Sequence, residues 1–208
     1  MQIWMAELDR PLEKLEYAAL LHNLPSARRE RFLRTRDSAR QQEPLCAYWL
    51  LKIMLRQEYG FEKIPEIAFG AAGKPFFPEY PQIYFNISHT KGAVMVAIAD
   101  VPVGVDLEMI RPVNARMMER MPHSGTPEDF FRCWVRQEAC AKCSGVGIAE
   151  FLHREIELPA QRQYFELDAF PGYLAGIAVE RGERPENACR LIWSRDLAHE
   201  VTDFSGKD

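Results

Sequence analysis

An internal repeat constrains the fold of this chain more than any other feature of its sequence. Residues 84–88 (Tyr-Phe-Asn-Ile-Ser) match residues 164–168 (Tyr-Phe-Glu-Leu-Asp), 80 positions further on. Gly92 and the apolar run around it match Gly172 and its own apolar run. Apolar segments on both sides of a glycine predict a strand, a turn and a second strand in each unit. The chain is therefore expected to build one supersecondary unit twice.

A helix-forming segment precedes each unit of the repeat. Residues 44–59 are apolar on most of the helix circumference, and Gly60 follows as a stop signal. Residues 127–143 form the second segment and open with a proline. The pattern predicts an α+β fold of two similar halves, which we place at residues 1–103 and 104–208.

Shorter patterns predict further elements around these two units. Residues 2–8 alternate loosely and predict a strand, and Pro11 is expected to open a short helix. Strands are also predicted at residues 65–69 and 83–88, with a loop between them that contains Gly73 and Lys74.

Two acidic side chains alternate along a predicted strand, Val103 to Ile110, that lies between two prolines. Side chains two apart on a strand share a face, so Asp106 and Glu108 should project together. On the helix that follows, Glu138 and Lys142 are one turn apart on a single stripe with Trp134. Packed together, the two stretches would place three carboxylates beside one ammonium group, which suits Mg²⁺ holding a substrate phosphate. The ordinary alternative is a solvated acidic strand end and a simple Glu–Lys pair.

Composition limits the classes of partner. The 208 residues carry a net charge of −4, which gives no overall attraction to nucleic acid or to an anionic membrane. No apolar run is long enough to span a bilayer, and the polar start resembles no signal peptide. We expect a cytoplasmic monomer with reduced thiols. Cys140 and Cys143 end a helix instead of opening one, which favours buried helix residues over a redox or zinc site.

The most basic segment of the chain covers residues 26–40. Its default interpretation is a solvated helix face that begins at Ser26. A second interpretation is an anion-binding cluster, because guanidinium groups bind phosphates with two hydrogen bonds. A nucleic-acid patch is a third, which the acidic net charge disfavours. The arginines considered are Arg28, Arg29, Arg31 and Arg40.

Three blocks of this sequence resemble, in order and approximate spacing, the signature blocks of the Sfp-type 4'-phosphopantetheinyl transferases. They are Phe-Asn-Ile-Ser-His-Thr at 85–90, Gly-Val-Asp-Leu-Glu at 104–108, and Trp-x-x-x-Glu-Ala-x-x-Lys at 134–142. The likeness extends from residues 9–12 to residues 171–173. It implies two halves related by a pseudo-twofold axis, with the active site in the cleft between them. It also implies transfer of the phosphopantetheine arm of coenzyme A to a serine of an apo acyl, peptidyl or aryl carrier protein, with Mg²⁺ as cofactor and 3',5'-ADP released.

The resemblance also implies roles for particular residues. The metal ligands would be Asp106, Glu108 and Glu138, and Glu138 would take the serine proton, with relay through a water favoured over direct transfer. Lys142 would offset charge on the transferring or leaving phosphate. The coenzyme A phosphates would meet Lys74, Ser88 and His89, and the 3'-phosphate would meet one of the four arginines named above.

One position departs from the family pattern. Gln137 stands where the family usually has a lysine, which removes a positive charge, and Arg136 points about 100° away around the helix. The departure leaves open a non-catalytic relative that binds coenzyme A or regulates. The resemblance implies that carrier selectivity depends on residues 112–134, where family members differ in length, and on residues 143–159.

Overall fold

The computed structural model of the chain describes residues 1–34, 41–121, 125–146, 160–180, 185 and 188–203. The strands are β1 (Gln2–Glu7), β2 (Ala68–Phe69), β3 (Pro75–Phe76), β4 (Tyr84–Thr90), β5 (Ala93–Ala99), β6 (Val103–Met109), β7 (Arg162–Leu167), β8 (Tyr173–Glu180) and β9 (Cys189–Ile192). The α-helices are α1 (Lys14–His22), α2 (Ser26–Arg34), α3 (Gln42–Tyr59), α4 (Ala115–Met118), α5 (Pro127–Ser144) and α6 (Ala198–Asp203), and a π-helical turn covers Trp193–Leu197.

The larger sheet has four strands in the order β4-β5-β1-β9. Its β4 and β5 form an antiparallel hairpin, β5 pairs antiparallel with β1, and β9 runs parallel to β1. The long helix α3 covers one face of this sheet, because most of its circumference is apolar and must be removed from water. Gly60, in the left-handed conformation at φ 71°, ends the helix as predicted.

The smaller sheet has three antiparallel strands in the order β6-β8-β7, and α5 lies across it. Gly104 on β6 explains how closely the helix approaches. A Cβ atom at this position would lie 2.2 Å from the Ala139 carbonyl oxygen and 2.2 Å from the Cys143 backbone nitrogen. Only a residue without a side chain allows α5 to rest directly on β6.

The remaining faces of the two sheets pack against each other. Alternate residues of β1, β5, β6 and β8 form this inner core, which includes Met5, Met95, Val105, Leu107 and Ile177. The chain therefore forms four layers in the order helix, sheet, sheet, helix. Val105 and Leu107 of β6 face this inner core. Because side chains alternate along a strand, Asp106 and Glu108 are directed to the opposite face, on the α5 side of β6.

The predicted α+β class is confirmed, as are the strand near the start of the chain and both long helices. Both units of the repeat form strand, turn and strand, and their turn glycines, Gly92 and Gly172, have positive φ. The pseudo-twofold relation and the cleft stay predictions. The prediction that Pro11 opens a helix is wrong, because α1 begins at Lys14 after a capping box formed by Glu13 and Glu16.

The C-terminal segment returns to the first part of the chain. The strand β9 extends the larger sheet beside β1, and α6 contacts α1. The Asp9 carboxylate accepts hydrogen bonds from the Ser194 backbone nitrogen at 3.0 Å and from the Ser194 hydroxyl. This segment contacts β1 and α1 of residues 1–103, and Arg190 Nη1 also donates to the Ala169 carbonyl oxygen at 3.2 Å, so the division at residue 104 stays a prediction.

The described residues also bear on the expectations for membrane-spanning helices and for the cysteines of α5. No helix among these residues combines the length and apolar character needed to cross a bilayer. The Cys140 and Cys143 thiols are buried on α5, and burial raises the pKa of Cys140 to about 11. Burial raises the pKa of Cys143 as well, and raised pKa values favour the less reactive thiol form over the thiolate, in line with the interpretation as buried helix residues.

Candidate functional site

The free edge of β6 is capped by side chains of β4. Three alternate β4 residues accept hydrogen bonds from three alternate backbone N–H groups of β6, and these groups point away from β8. The pairs are Val105 N to Asn86 Oδ1 at 2.9 Å, Leu107 N to Ser88 Oγ at 3.2 Å and Met109 N to Thr90 Oγ1 at 3.4 Å. This ladder fixes the predicted Phe-Asn-Ile-Ser-His-Thr strand against the predicted acidic strand.

Asp106 is the most buried carboxylate of the site, with 4% of its surface exposed. Its Oδ1 accepts hydrogen bonds from the Ser88 hydroxyl at 2.8 Å and from Lys142 Nζ at 2.6 Å. Its Oδ2 is buried and has no hydrogen-bond partner among the described residues. A buried carboxylate oxygen without a donor is costly, so one half of this group is available to a cation or a donor.

Glu108 is held by two side chains that the sequence analysis did not select. Its Oε2 accepts from the Thr90 hydroxyl at 3.2 Å and from Arg111 Nη1 at 2.8 Å. The Arg111 guanidinium also lies over the Phe131 ring, 4.5 Å from its centroid. The alternation of polar residues at 86, 88 and 90 could have indicated the first contact, and an arginine three residues after Glu108 the second.

Glu138 is half-buried on α5 and faces the same region. Burial raises its pKa, the neighbouring Asp106 and Glu108 carboxylates raise it further, and Lys142 opposes them. Its pKa is thus responsive to both acidic residues of β6, which supports their grouping. Within the described residues, no three carboxylate, imidazole or thiol groups are close enough together to hold a metal ion as they stand. Because like charges repel, Lys142 rather than Glu138 contacts Asp106 in this arrangement.

The donor types nevertheless fit a hard divalent cation. The unpartnered Asp106 Oδ2, the Glu108 carboxylate and the Glu138 carboxylate offer only oxygen ligands, which Mg²⁺ prefers. The metal role of these three residues stays a prediction.

A cavity of about 370 Å³ opens beside His89 at the end of β4. Two arginines of α2, Arg28 and Arg31, contribute to its wall with Tyr48, Phe69 and Gly73. The Arg28 guanidinium lies 4.3 Å from the Phe69 ring centroid and 5.1 Å from that of Tyr48. Arg28 Nε is buried and has no partner among the described residues. A cation between aromatic rings suits a phosphorylated aromatic base.

The other residues predicted to contact phosphates differ in their position relative to this cavity. Arg29 is half-buried but is not part of this cavity wall, and Arg40 lies outside the described residues. His89 is exposed, yet surrounding atoms partly desolvate the imidazole and, with the Lys142 ammonium, lower its pKa. The exposure of His89 limits the effect of desolvation on its pKa. Desolvation and the Lys142 ammonium both favour a neutral imidazole at neutral pH.

The Lys74 ammonium is hydrogen-bonded to two backbone carbonyl groups. Its Nζ donates to the Val103 carbonyl at 3.0 Å and to the Cys143 carbonyl at 2.9 Å. Burial lowers its pKa. Lys74 therefore ties its loop to the start of β6 and the end of α5, and the predicted phosphate contact stays a prediction.

Gln137, the departure from the family pattern, and its neighbour Arg136 have different environments on α5. Gln137 is buried, with 4% of its surface exposed. Arg136 is exposed, and its guanidinium lies 5.8 Å from the Tyr164 ring centroid on β7. Arg111, paired with Glu108, is instead the additional cation beside the acidic residues.

Comparison with known proteins found no family model that matches the chain. The chain is similar to the 4'-phosphopantetheinyl transferase ffp of Bacillus subtilis, with 28% identity over 93% of this chain and 98% of the relative. It is similar to the 4'-phosphopantetheinyl transferase Sfp of Bacillus subtilis (strain 168), with 25% identity over 95% of this chain and 100% of the relative. A shorter stretch, 39% of this chain and 50% of the relative, is 36% identical to the 4'-phosphopantetheinyl transferase AcpT of Escherichia coli (strain K12).

Proposed function

The chain belongs to the Sfp-type family of 4'-phosphopantetheinyl transferases, and we propose that it carries out the full family reaction with Mg²⁺. The substrates are coenzyme A and an apo carrier protein of the acyl, peptidyl or aryl type. A carrier serine oxygen forms a bond to the phosphorus that bears the pantetheine arm, the bond from that phosphorus to the bridging pyrophosphate oxygen breaks, and 3',5'-ADP leaves.

The observation that carries this proposal is the state of Asp106. One oxygen of its carboxylate is held by Ser88 and Lys142, and the other is buried without a partner among the described residues. Glu108 and Glu138 supply further oxygens on the same side of the smaller sheet. A cation bound by these residues would neutralise pyrophosphate oxygens and let a nucleophile approach.

The cavity beside His89 is the proposed binding place for the nucleotide part of coenzyme A. Arg28 and Arg31 bring guanidinium groups to a wall that also contains the Tyr48 and Phe69 rings. A base and a 3'-phosphate would find stacking and charge-assisted hydrogen bonds in the same cavity. The pyrophosphate would then extend past His89 and Ser88 towards Asp106, because these residues follow one another along β4 and across to β6.

Two residues of α5 would act on the reacting groups. Glu138 has a raised pKa, which makes its carboxylate a stronger base for the serine proton, directly or through a water. The Lys142 side chain is 28% exposed, and its Nζ donates to Asp106 Oδ1 and Ser88 Oγ. The same ammonium can turn to a phosphate oxygen and stabilise negative charge there.

The test is incubation of the full chain with coenzyme A, Mg²⁺ and a panel of apo carrier proteins, followed by intact mass and by chromatography of released nucleotide. We expect one phosphopantetheine per carrier and one 3',5'-ADP, both lost in excess EDTA and in Asp106→Ala. Asp100→Ala, at an exposed turn between β5 and β6, is the matched control and should keep activity.

Full activity of Asp106→Ala, or of the wild-type chain in EDTA, would remove the metal site. Tight binding of coenzyme A without transfer to any carrier would instead support the non-catalytic alternative.

A further inference from the structure

Tyr164 on β7 carries a buried hydroxyl that the proposed mechanism does not use. The hydroxyl oxygen has no accessible surface and no hydrogen-bond partner among the described residues. A phenol hydroxyl in this state costs free energy, and a phenylalanine would fill the same space without that cost. A buried hydroxyl of this kind needs an explanation, such as a bound water, an ion or a functional role.

The position of the ring is fixed by a glycine. A Cβ atom on Gly176 would lie 2.3 Å from the Tyr164 hydroxyl and 2.6 Å from its Cε2. The phenol therefore lies flat over the α5 side of β8, and the absence of a side chain at Gly176 makes room for it. The direction of the ring is across the sheet, from β7 towards β6.

On the other side of the same glycine lies Asp106. Asp106 is the direct cross-strand neighbour of Gly176, and its Oδ2 is buried without a partner among the described residues. The Tyr164 hydroxyl and Asp106 Oδ2 thus flank one residue, on one face of one sheet, and both lack a partner there. Burial raises the pKa of Tyr164, and nearby negative groups that include Asp106 raise it further, so the hydroxyl keeps its proton.

We infer that Tyr164 is a positioning residue for Asp106, with its hydroxyl donating across Gly176 to one water that in turn donates to Oδ2. This inference rests on the proposed function, in which Asp106 is a metal ligand. A carboxylate oxygen has two lone pairs, so Oδ2 can accept this hydrogen bond and bind a cation at the same time. The hydroxyl would fix the direction of the carboxylate before the cation arrives, as outer partners of metal ligands do.

The first test is metal affinity, measured with Mn²⁺ as the probe on the full chain by the EPR signal of free Mn²⁺. Tyr164→Phe removes the hydroxyl and keeps the ring, and we expect the Kd for Mn²⁺ to rise about tenfold. The Mg²⁺ concentration that gives half-maximal transfer should rise by a similar factor, while kcat at saturating Mg²⁺ stays within about twofold. Gly176→Ala, which pushes the phenol aside, should raise the Kd at least as much, and Tyr59→Phe, on an exposed part of α3, should not change it.

The second test needs no metal. Melting temperatures are measured in EDTA for Tyr164→Phe, Asp106→Asn and the double variant, and coupled residues give shifts that do not add. An unchanged Kd in Tyr164→Phe together with additive shifts would overturn the inference and leave the proposed function intact. A wild-type chain that binds no Mn²⁺ while the shifts still fail to add would overturn the metal site and support the positioning role.

Discussion

At the scale of single residues, the environment of Arg28 favours a role in binding an anion over a purely structural role. Its guanidinium packs against the Tyr48 and Phe69 rings at the wall of the cavity beside His89, and its Nε has no hydrogen-bond partner among the described residues. A group held in this way has already lost most of its conformational freedom, so little further entropy is lost when an anion binds.

We predict that dephospho-coenzyme A, which lacks the 3'-phosphate, binds the wild-type chain more weakly than coenzyme A by about 1.5–3 kcal/mol. In Arg28→Ala this difference should shrink, because the charge-assisted contact is gone. Isothermal titration measures both affinities. Arg34→Ala is the control on the same helix, since its side chain is 81% exposed and pairs with Glu30. Equal affinities of the wild-type chain for the two ligands would exclude Arg28 from this role.

Gln137 gives a second prediction at this scale. Its burial means that a lysine there would bring an ammonium group into a site that now holds a neutral amide. We expect Gln137→Lys to lower the melting temperature and to change kcat by less than tenfold, about 1.4 kcal/mol of barrier. Gln137→Met, similar in size and uncharged, separates the effect of charge from that of shape. A tenfold or greater rise in kcat would show that the missing lysine served the transition state.

The positions of the candidate site residues were predictable where one strand or helix determines them, whereas their roles stay predictions. Asp106 and Glu108 follow from alternation on β6, and Glu138 and Lys142 from the helical period on α5. Arg111 and Thr90 were not found, because their contacts with Glu108 depend on how two strands and a loop meet in space. Lys74 is a case in which the local sequence was misleading. Its place in a loop suggests a mobile cation, whereas its ammonium donates to two backbone carbonyl oxygens.

At the scale of elements, the close contact between α5 and β6 controls the site. Glu138 and Lys142 lie on α5, whereas Asp106 and Glu108 lie on β6. The distance between these two elements is limited by Gly104, where a Cβ would meet backbone atoms instead of flexible side chains.

We therefore predict that Gly104→Ala moves α5 away from β6. The free energy of unfolding should fall by about 1–3 kcal/mol, as for overpacked cores, and transfer should fall at least tenfold because the two pairs of site residues separate. Denaturant unfolding and the carrier mass assay measure the two effects. Gly70→Ala is the control, since its Cβ would meet only Lys74 O at an ordinary 3.7 Å. Unchanged stability in Gly104→Ala would mean that α5 does not rest on β6 in solution.

Elements with a strong local signal were predictable and those without one were not. The helices α3 and α5 have long periodic patterns and glycine stops at Gly60 and Gly145. The strand β9 is four residues long and pairs with β1, which is far away in the sequence, so no local sequence pattern predicts it. The start of α1 was misplaced because the Glu13–Glu16 capping box outweighed the proline signal.

At the scale of the whole molecule, the C-terminal segment ties the end of the described chain to its beginning. Hydrogen bonds from the Ser194 hydroxyl and backbone N–H hold the pKa of Asp9 below its ordinary value. The Arg195 guanidinium and the Ile192 N–H lower the pKa of Asp196 to about 2. Both carboxylates stabilise the fold when ionised, and this contribution is complete above the ordinary aspartate pKa.

We predict that this contribution is lost as the pH falls from about 4 through the lowered folded-state values. Thermal melting between pH 6 and pH 2 should show Asp9→Asn less stable than the wild-type chain at pH 6, with the two curves converging at low pH. Asp100→Asn, at an exposed turn, serves as the control. A constant gap between the Asp9→Asn and wild-type curves would show that the carboxylate of Asp9 is not the group that titrates.

The parallel pairing of β1 with β9 also affects the order in which the protein can assemble during synthesis. Among the described strands β1 is synthesised before β5, which pairs with one of its edges, and the pairing described for its other edge is with residues 189–192. Until residues 189–192 have been synthesised, that edge of β1 presents N–H and C=O groups that β9 pairs with in the folded protein. The larger sheet is therefore complete only after β9 has been made, which ties the folding of the first strand to one of the last described segments.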